Sequence, residues 1–286
     1  MLLRCLKRNF RPIKMQYYQD LCLKTALVKN LFIDGKYKIF TMKKKLLHRS
    51  EDYNEETAAF LLRISIHTTQ CTFLNIDPLY DDWDYYPFYN KKFVDENYNK
   101  KGIIGYILKK EKICIIVFTG TNNVSLASAD LDYKQKKCDS FSDGYMCHGG
   151  FAKIFNDVVE QIKDKIDYKS ELYITGHSMG GGLSNICALY FKKYKPIHDS
   201  FASPMTFGEK MAYEYNKHIK HGYRIYNMYD VVSMSPLPIM PNGDSFYHVG
   251  EPIQFGDNGG KYSYNHTESY IRAFNLYVDY YIYNNK

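Results

Sequence analysis

Between Phe151 and Ile166, apolar side chains recur every three or four positions: Phe151, Ile154, Phe155, Val158, Val159, Ile162 and Ile166. Asp164, Lys165 and Lys169 fall outside that stripe, so the spacing predicts an amphipathic helix. The next run, Glu171-Leu-Tyr-Ile-Thr175, is short, aromatic and β-branched, which predicts a buried strand. After a glycine-rich interval, Leu183, Ile186, Cys187, Tyr190 and Phe191 return to helical spacing. Upstream, Glu55 to Ile66 reads as a helix. Residues 102–108 and 113–118 read as two strands joined by the polar turn Lys109-Lys110-Glu111-Lys112. Residues 77–100, crowded with Tyr, Asp, Asn and Pro, have no period and read as an irregular surface segment. Tyr223 to Ser233 reads as a strand with Asp230 at its C-terminal end, and the stretch from Ser269 as the last helix. Strands and helices intermixed in this way, without internal repeats, predict one α/β domain, for which 286 residues is an ordinary length.

Charge divides the chain unevenly. Residues 1–50 hold 13 Lys and Arg against Asp20 and Asp34, net +11, while the whole chain is +7, so the remainder is net −4. We therefore expect a basic N-terminal extension, residues 1–50, followed by a catalytic domain, residues 51–286. Within the extension, Leu2, Leu3, Leu6 and Phe10 share one helical face and Arg4, Lys7, Arg8 and Arg11 another, with Pro12 ending the pattern. Such a segment suits peripheral association with an anionic membrane or a role as a targeting presequence, and equally a solvated, loosely ordered terminus. Lys43-Lys44-Lys45 reads as a solvated charge run.

No run reaches the roughly 20 apolar residues of a membrane span, and the early arginines interrupt any signal-peptide core. Seven cysteines without repeating spacing do not form a disulfide framework. The sequons at Asn123 and Asn265 fall in segments that hold candidate active-site residues, where a glycan would block access. Together these features lead us to expect an intracellular protein, cytoplasmic or peripheral to a membrane.

The chemistry centres on Ile174-Thr-Gly-His-Ser178-Met-Gly-Gly-Gly182, a strand that runs through Gly-x-Ser-x-Gly into a helix. This is the nucleophile elbow of α/β-hydrolases, whose strained turn pushes the serine Oγ into the open. A serine hydroxyl needs an imidazole to take its proton and a carboxylate to orient that imidazole. In this fold the order is Ser, then acid, then His. The acids after Ser178 are Asp199, Asp230, Asp244 and Asp257; the histidines are His198, His218, His221, His248 and His266. Asp230 ends a strand, at the sheet edge where open α/β sheets bind ligands, whereas Asp244 in Pro-Asn-Gly-Asp-Ser reads as a turn residue. His266 lies in a loop before the last helix, where a mobile general base can reach Ser178. His248 lies in a strand-like stretch and reads as structural.

Five further segments occur in order with the elbow. They are Ile116-Val-Phe-Thr-Gly-Thr121, His148-Gly-Gly-Phe151, Phe201-Ala-Ser-Pro204, Asn227-Met-Tyr-Asp230-Val-Val with Pro236-Leu-Pro238, and Tyr247-His-Val-Gly-Glu251 with Asn265-His266. With them the chain resembles the class 3 lipases, a family that includes the fungal triacylglycerol lipases, over roughly residues 55–280. The resemblance implies an α/β-hydrolase fold with a central, mostly parallel sheet flanked by helices. It implies a serine carboxylic-ester hydrolase acting on acylglycerols or phospholipids through an acyl-enzyme, with Ser178 as nucleophile, Asp230 as acid and His266 as base. Thr121 and the Met179 amide would form the oxyanion hole, in keeping with the rule that the residue after the nucleophile donates there. Residues 122–131 would form a lid. Thr119 stands where the family usually has arginine, which leaves the anchoring of the oxyanion loop open. Two rival readings remain: a hydrolase-fold scaffold that binds lipid or a partner without catalysis, and another acyl hydrolase such as a thioesterase.

Other chemistries find less support. His218-Ile-Lys-His221 lacks the acidic residue of a metalloprotease helix and reads as an exposed basic face. Gly256-Asp-Asn-Gly-Gly-Lys261 is one residue short of a phosphate loop and is followed by Tyr262 instead of Ser or Thr. No Cys-x-x-Cys pair suggests zinc. We expect no metal, no cofactor and no nucleic-acid partner; oligomeric state is not legible.

Overall fold

The computed structural model describes residues 52–78, 83–96, 99–121, 134–167 and 169–276 with their side chains. It also describes the backbone of a small hairpin that pairs Phe32–Ile33 with Lys36–Tyr37. The amphipathic segment at residues 2–11, the lysine run at 43–45, the sequon at Asn123 and the expected lid at 122–131 lie outside the described residues.

A seven-stranded sheet organises the domain. Its strands are β1 (Asp84–Tyr89), β2 (Ile103–Lys110), β3 (Ile113–Phe118), β6 (Glu171–His177), β7 (Ile197–Phe201), β8 (His221–Asn227) and β9 (Glu251–Phe255). β4 (Gln135–Lys137) and β5 (Met146–His148) form a separate antiparallel hairpin. The spatial order is β9-β8-β7-β6-β3-β2-β1. The five strands from β9 to β3 run parallel, and β2 and β1 are antiparallel additions. This is the central, mostly parallel sheet of the expected fold.

Sequence explains the layering. β3, Ile-Cys-Ile-Ile-Val-Phe, is buried throughout, as a strand covered on both faces must be. Its side chains alternate between two cores. Ile115 and Val117 meet Leu61, Leu62 and Phe201 below the helix α1 (Glu55–Phe73). Cys114, Ile116 and Phe118 meet Phe155, Val158 and Leu183 below α2 (Gly149–Lys163) and α3 (Met179–Tyr190). The helix α4 (Glu209–His218) packs on the same side, and the short α5 (Ser269–Ala273) sends Tyr270 and Ile271 into the α1 core. α1 begins at Asn54, whose side chain accepts the Thr57 N–H at 2.8 Å.

Four elements differ from the sequence reading. The strand expected over Tyr223–Ser233 ends at Asn227, so Asp230 lies in the turn that follows β8. Residues 84–89 form the edge strand β1 instead of an irregular segment. Its Pro87 has no N–H for the ladder, which an edge tolerates, and that proline obscures the strand in sequence. α1 continues seven residues past Ile66, and there Thr68, Thr69 and Thr72 satisfy their hydroxyls on carbonyls four residues back, at 2.7–3.0 Å. The last helix is short and preceded by a π-helical turn, Tyr264–Glu268. Among the described residues no helix is long and apolar enough to cross a membrane.

Strand register decides where the connecting segments emerge. Phe118 pairs with Gly176, His177 with Phe201, Phe201 with Ile225, and Asn227 with Phe255. Segments leaving β3, β6, β8 and β9 therefore emerge along one edge, the C-terminal edge of the parallel strands.

Candidate active site

At that edge the chain passes from β6 into α3 through one residue, Ser178, with φ 62° and ψ −126°. A non-glycine residue held there is strained, and its neighbours enforce the strain. The Ser178 N–H donates to the Phe201 carbonyl at 2.9 Å, and its own carbonyl accepts the Gly181 N–H at 2.9 Å. The flanking glycines are required by contact. A Cβ on Gly176 would lie 2.2 Å from the Gly180 carbonyl oxygen, and one on Gly180 would lie 2.4 Å from that of Phe118. No side chain fits between these backbones.

The π-helical turn carries His266 to the serine. His266 Nε2 lies 2.8 Å from Ser178 Oγ, and Nδ1 lies 2.9 and 3.1 Å from the two Asp230 oxygens. A carboxylate only accepts, so Nδ1 carries the proton and Nε2 is left to accept the Ser178 hydroxyl. All three side chains are buried: Ser178 is 4 % exposed, His266 2 % and Asp230 1 %. Ser178 is thus buried, not in the open as the elbow pattern had suggested. His266 sits within helical backbone, not on a mobile loop.

Asp230 is held by more than the histidine. Its oxygens accept the Val232 N–H at 3.0 Å, the Tyr270 hydroxyl at 2.9 Å and the Ser233 hydroxyl at 3.2 Å. Burial alone would raise its pKa. The attraction of His266 and the hydrogen bonds from His266, Tyr270 and Val232 outweigh burial and hold the pKa below the ordinary carboxylate value. Tyr270 in turn accepts the Asn227 N–H at 3.0 Å. The Asn227 side chain, fully buried at the end of β8, donates to the carbonyls of Asp257 (2.7 Å) and Asn265 (3.2 Å) and accepts the Asp257 N–H (3.2 Å). It ties the acid strand to the turn that bears His266. His177 donates from Nε2 to the His266 carbonyl at 2.7 Å. Burial, and next the neighbouring His266, hold its pKa down to about 3, so it adds no second positive charge beside the imidazole.

The loop after β3 lies against the elbow on the other side. A Cβ built on Gly120 would sit 3.8 Å from Ser178 Cβ and 3.3 Å from the His177 carbonyl oxygen, which places residues 120–121 beside the serine. Met179 opens α3 directly after Ser178, where helix N–H groups have no intrahelical acceptor.

Other candidates lie elsewhere. Asp199 is buried in β7. Asp244 caps a turn and accepts from Asn242 and the Gln135 N–H. Asp257 accepts the Tyr264 hydroxyl at 2.9 Å. His198 lies in the core between Ser184 and Tyr215. His218, on α4, meets Glu214 at 3.2 Å, while His221 begins β8, so the two do not share a helix face. His248 donates to the Ser233 carbonyl at 2.8 Å and buttresses the acid loop. Sequence reasoning missed Tyr270, Asn227 and His177. None left a local signal, since each acts on a residue distant in sequence.

The family model described as lipase (class 3) matches residues 115–240. A secreted mono- and diacylglycerol lipase 1 of Fusarium solani is 25% identical over 184 residues, 61% of this chain and 53% of that protein. The chain thus matches only about half the length of this curated relative. The crystal structure of a mono- and diacylglycerol lipase from Aspergillus oryzae superposes with a TM-score of 0.54 at 16% identity, covering 73% of this chain and 82% of that one. A triacylglycerol lipase described as having a serine protease triad gives 0.56 at 17% identity, with 72% and 82% covered. These two structures share the fold.

The Fusarium relative is described as secreted, which overturns the intracellular expectation. The grounds for that expectation are structural facts with other causes. Cys71, Cys114, Cys138, Cys147 and Cys187 are buried thiols that pack the core. The Asn265 side chain is engaged with the Gly259 N–H and the Tyr229 carbonyl, so that sequon says nothing about compartment.

Proposed function

We propose that the chain is a member of the class 3 lipases, whose family model matches residues 115–240, and that it is a serine carboxylic-ester hydrolase acting on acylglycerols or phospholipids, with residues 51–286 as the catalytic domain. The observation that carries this reading is the hydrogen-bonded series Ser178, His266, Asp230 at a strained elbow. Ser178 Oγ attacks the ester carbonyl as His266 Nε2 takes its proton. Asp230 stays ionised and stabilises the imidazolium through Nδ1–H. The Met179 and Thr121 N–H groups receive the developing oxyanion. His266 then protonates the departing alcohol, and water, activated by the same imidazole, releases the fatty acid from Ser178. The basic segment, residues 1–50, contributes attraction to anionic lipid, at about 1 kcal/mol per Lys or Arg near the surface.

The test is hydrolysis of a panel of short-chain esters, thioesters, triacylglycerol, diacylglycerol and phospholipid by the full chain and by Ser178→Ala. Hydrolysis of long-chain glycerides or phospholipids, abolished in the variant, supports the reading. Preference for thioesters redirects it, and equal activity in the variant overturns it. Sedimentation with anionic vesicles, with and without residues 1–50, tests the basic segment separately; equal binding removes its membrane role.

A further inference from the structure

The oxyanion loop leaves β3 through Thr119-Gly120-Thr121, and part of what holds it in place lies on α1. The Thr119 side chain is buried and turns back to the Ile104 carbonyl, which its hydroxyl meets at 3.0 Å and its N–H at 2.9 Å. It points into the sheet. The next amide, that of Gly120, donates at 2.9 Å to Thr69 Oγ1 on α1. The Thr69 hydroxyl donates its own proton to the Ser65 carbonyl at 2.7 Å, so toward Gly120 it acts as an acceptor. One helical turn earlier on the same face, Ser65 Oγ contacts Thr175 Oγ1 of β6 at 3.2 Å. α1 thus touches, through two hydroxyls one turn apart, both the strand that leads into Ser178 and the loop that lies beside it.

We propose that Thr69 is a positioning residue for the oxyanion hole: by accepting the Gly120 N–H it fixes the orientation of the following peptide, which presents the Thr121 N–H to the oxyanion. Geometry makes this contact consequential. The Gly120 backbone also packs close to the elbow, where a Cβ in its place would lie 3.3 Å from the His177 carbonyl oxygen. Thr69 prevents rotation of the peptide away from it. Misdirecting a donor weakens transition-state binding and leaves ground-state binding nearly intact. The proposal rests on the ester-hydrolase reading, but its structural half can be measured without turnover.

The experiment compares Thr69→Val, which keeps the shape and removes the acceptor, with Thr69→Ser, which restores it. With a soluble short-chain ester, kcat of Thr69→Val should fall at least about tenfold, while KM stays within about twofold. Thr69→Ser should recover most of the loss. In the same samples, hydrogen exchange at the Gly120 amide should quicken in Thr69→Val and return toward the native rate in Thr69→Ser, with thermal midpoints close together. Should Thr69→Val not fold, Thr69→Ala serves for the same comparison. Native kcat in the folded variant, or a loss that serine does not rescue, overturns the proposal. So does unchanged exchange at Gly120. If the native chain hydrolyses no ester, the hydrolase reading fails, and the exchange data still decide whether Thr69 holds the loop.

Discussion

Asp199→Asn should stabilise this protein, and by more as pH rises. Asp199 lies on β7 between Thr175 of β6 and Tyr223 of β8, only 2 % exposed, and its Oδ1 has no hydrogen-bond partner among the described residues. Its surroundings include Tyr53, whose ring packs edge-on against Tyr223 at 5.2 Å. Burial pushes the Asp199 pKa from 3.8 up to about 7. An acid whose folded pKa is raised favours the fold when protonated. Its contribution is complete below the unfolded value and declines as pH rises toward the folded one. A shift of about three units, at about 1.4 kcal/mol each, amounts to about 4 kcal/mol lost by pH 8. Asparagine keeps the shape and cannot ionise. Urea unfolding of the native chain and of Asp199→Asn at pH 5 and pH 8 therefore gives a stability gap about 3 kcal/mol wider at pH 8. A gap of equal size at both pH values would mean that Asp199 ionises in the fold at its ordinary pKa, and the reasoning would fail.

Three other substitutions probe the site and its scaffold. Asp230→Asn keeps the packing but lets the wrong His266 tautomer form, and kcat should fall by about 10⁴ with the fold intact; a loss under tenfold would contradict the assigned role. Tyr270→Phe removes a donor to Asp230 and leaves the Asn227 N–H without its acceptor. A hydrogen bond to a charged group is worth about 1.5–3 kcal/mol, so both thermal midpoint and kcat should drop, and neither changing would show that the contact is idle. Gly176→Ala drives a Cβ to 2.2 Å from the Gly180 carbonyl oxygen and should cost about 3 kcal/mol or more. A native melting temperature for that variant would refute the close approach.

Much of the architecture can be read in the chain because local pattern and burial agree. β3 is a short apolar run, β6 is short, aromatic and β-branched, α2 has a clear amphipathic stripe, and the elbow joins a strand to a helix through one residue. β1 escaped notice because an edge strand with Asp84 and Pro87 faces solvent and need not alternate. In the site, Ser178, His266 and Asp230 were separable from their rivals by order and local context, and the structure brings them within hydrogen-bond distance. Their supports were not separable. Thr69, His177, Asn227 and Tyr270 act through contacts between positions 30 to 89 residues apart, such as Asn227 with Asp257, Tyr270 with Asp230 and His177 with His266. No periodicity encodes such pairings. The helical placement of His266 was likewise hidden, since a π turn has no distinct sequence spacing.

The central claim is that His266 and Asp230 make Ser178 a nucleophile. Treating the folded full chain with a fluorophosphonate probe, then mapping the adduct by peptide mass spectrometry, tests it most directly. The expected result is a single stoichiometric adduct on Ser178, formed far more slowly in His266→Ala. An adduct on another residue, equal labelling of the His266 variant, or no adduct in folded protein would contradict it.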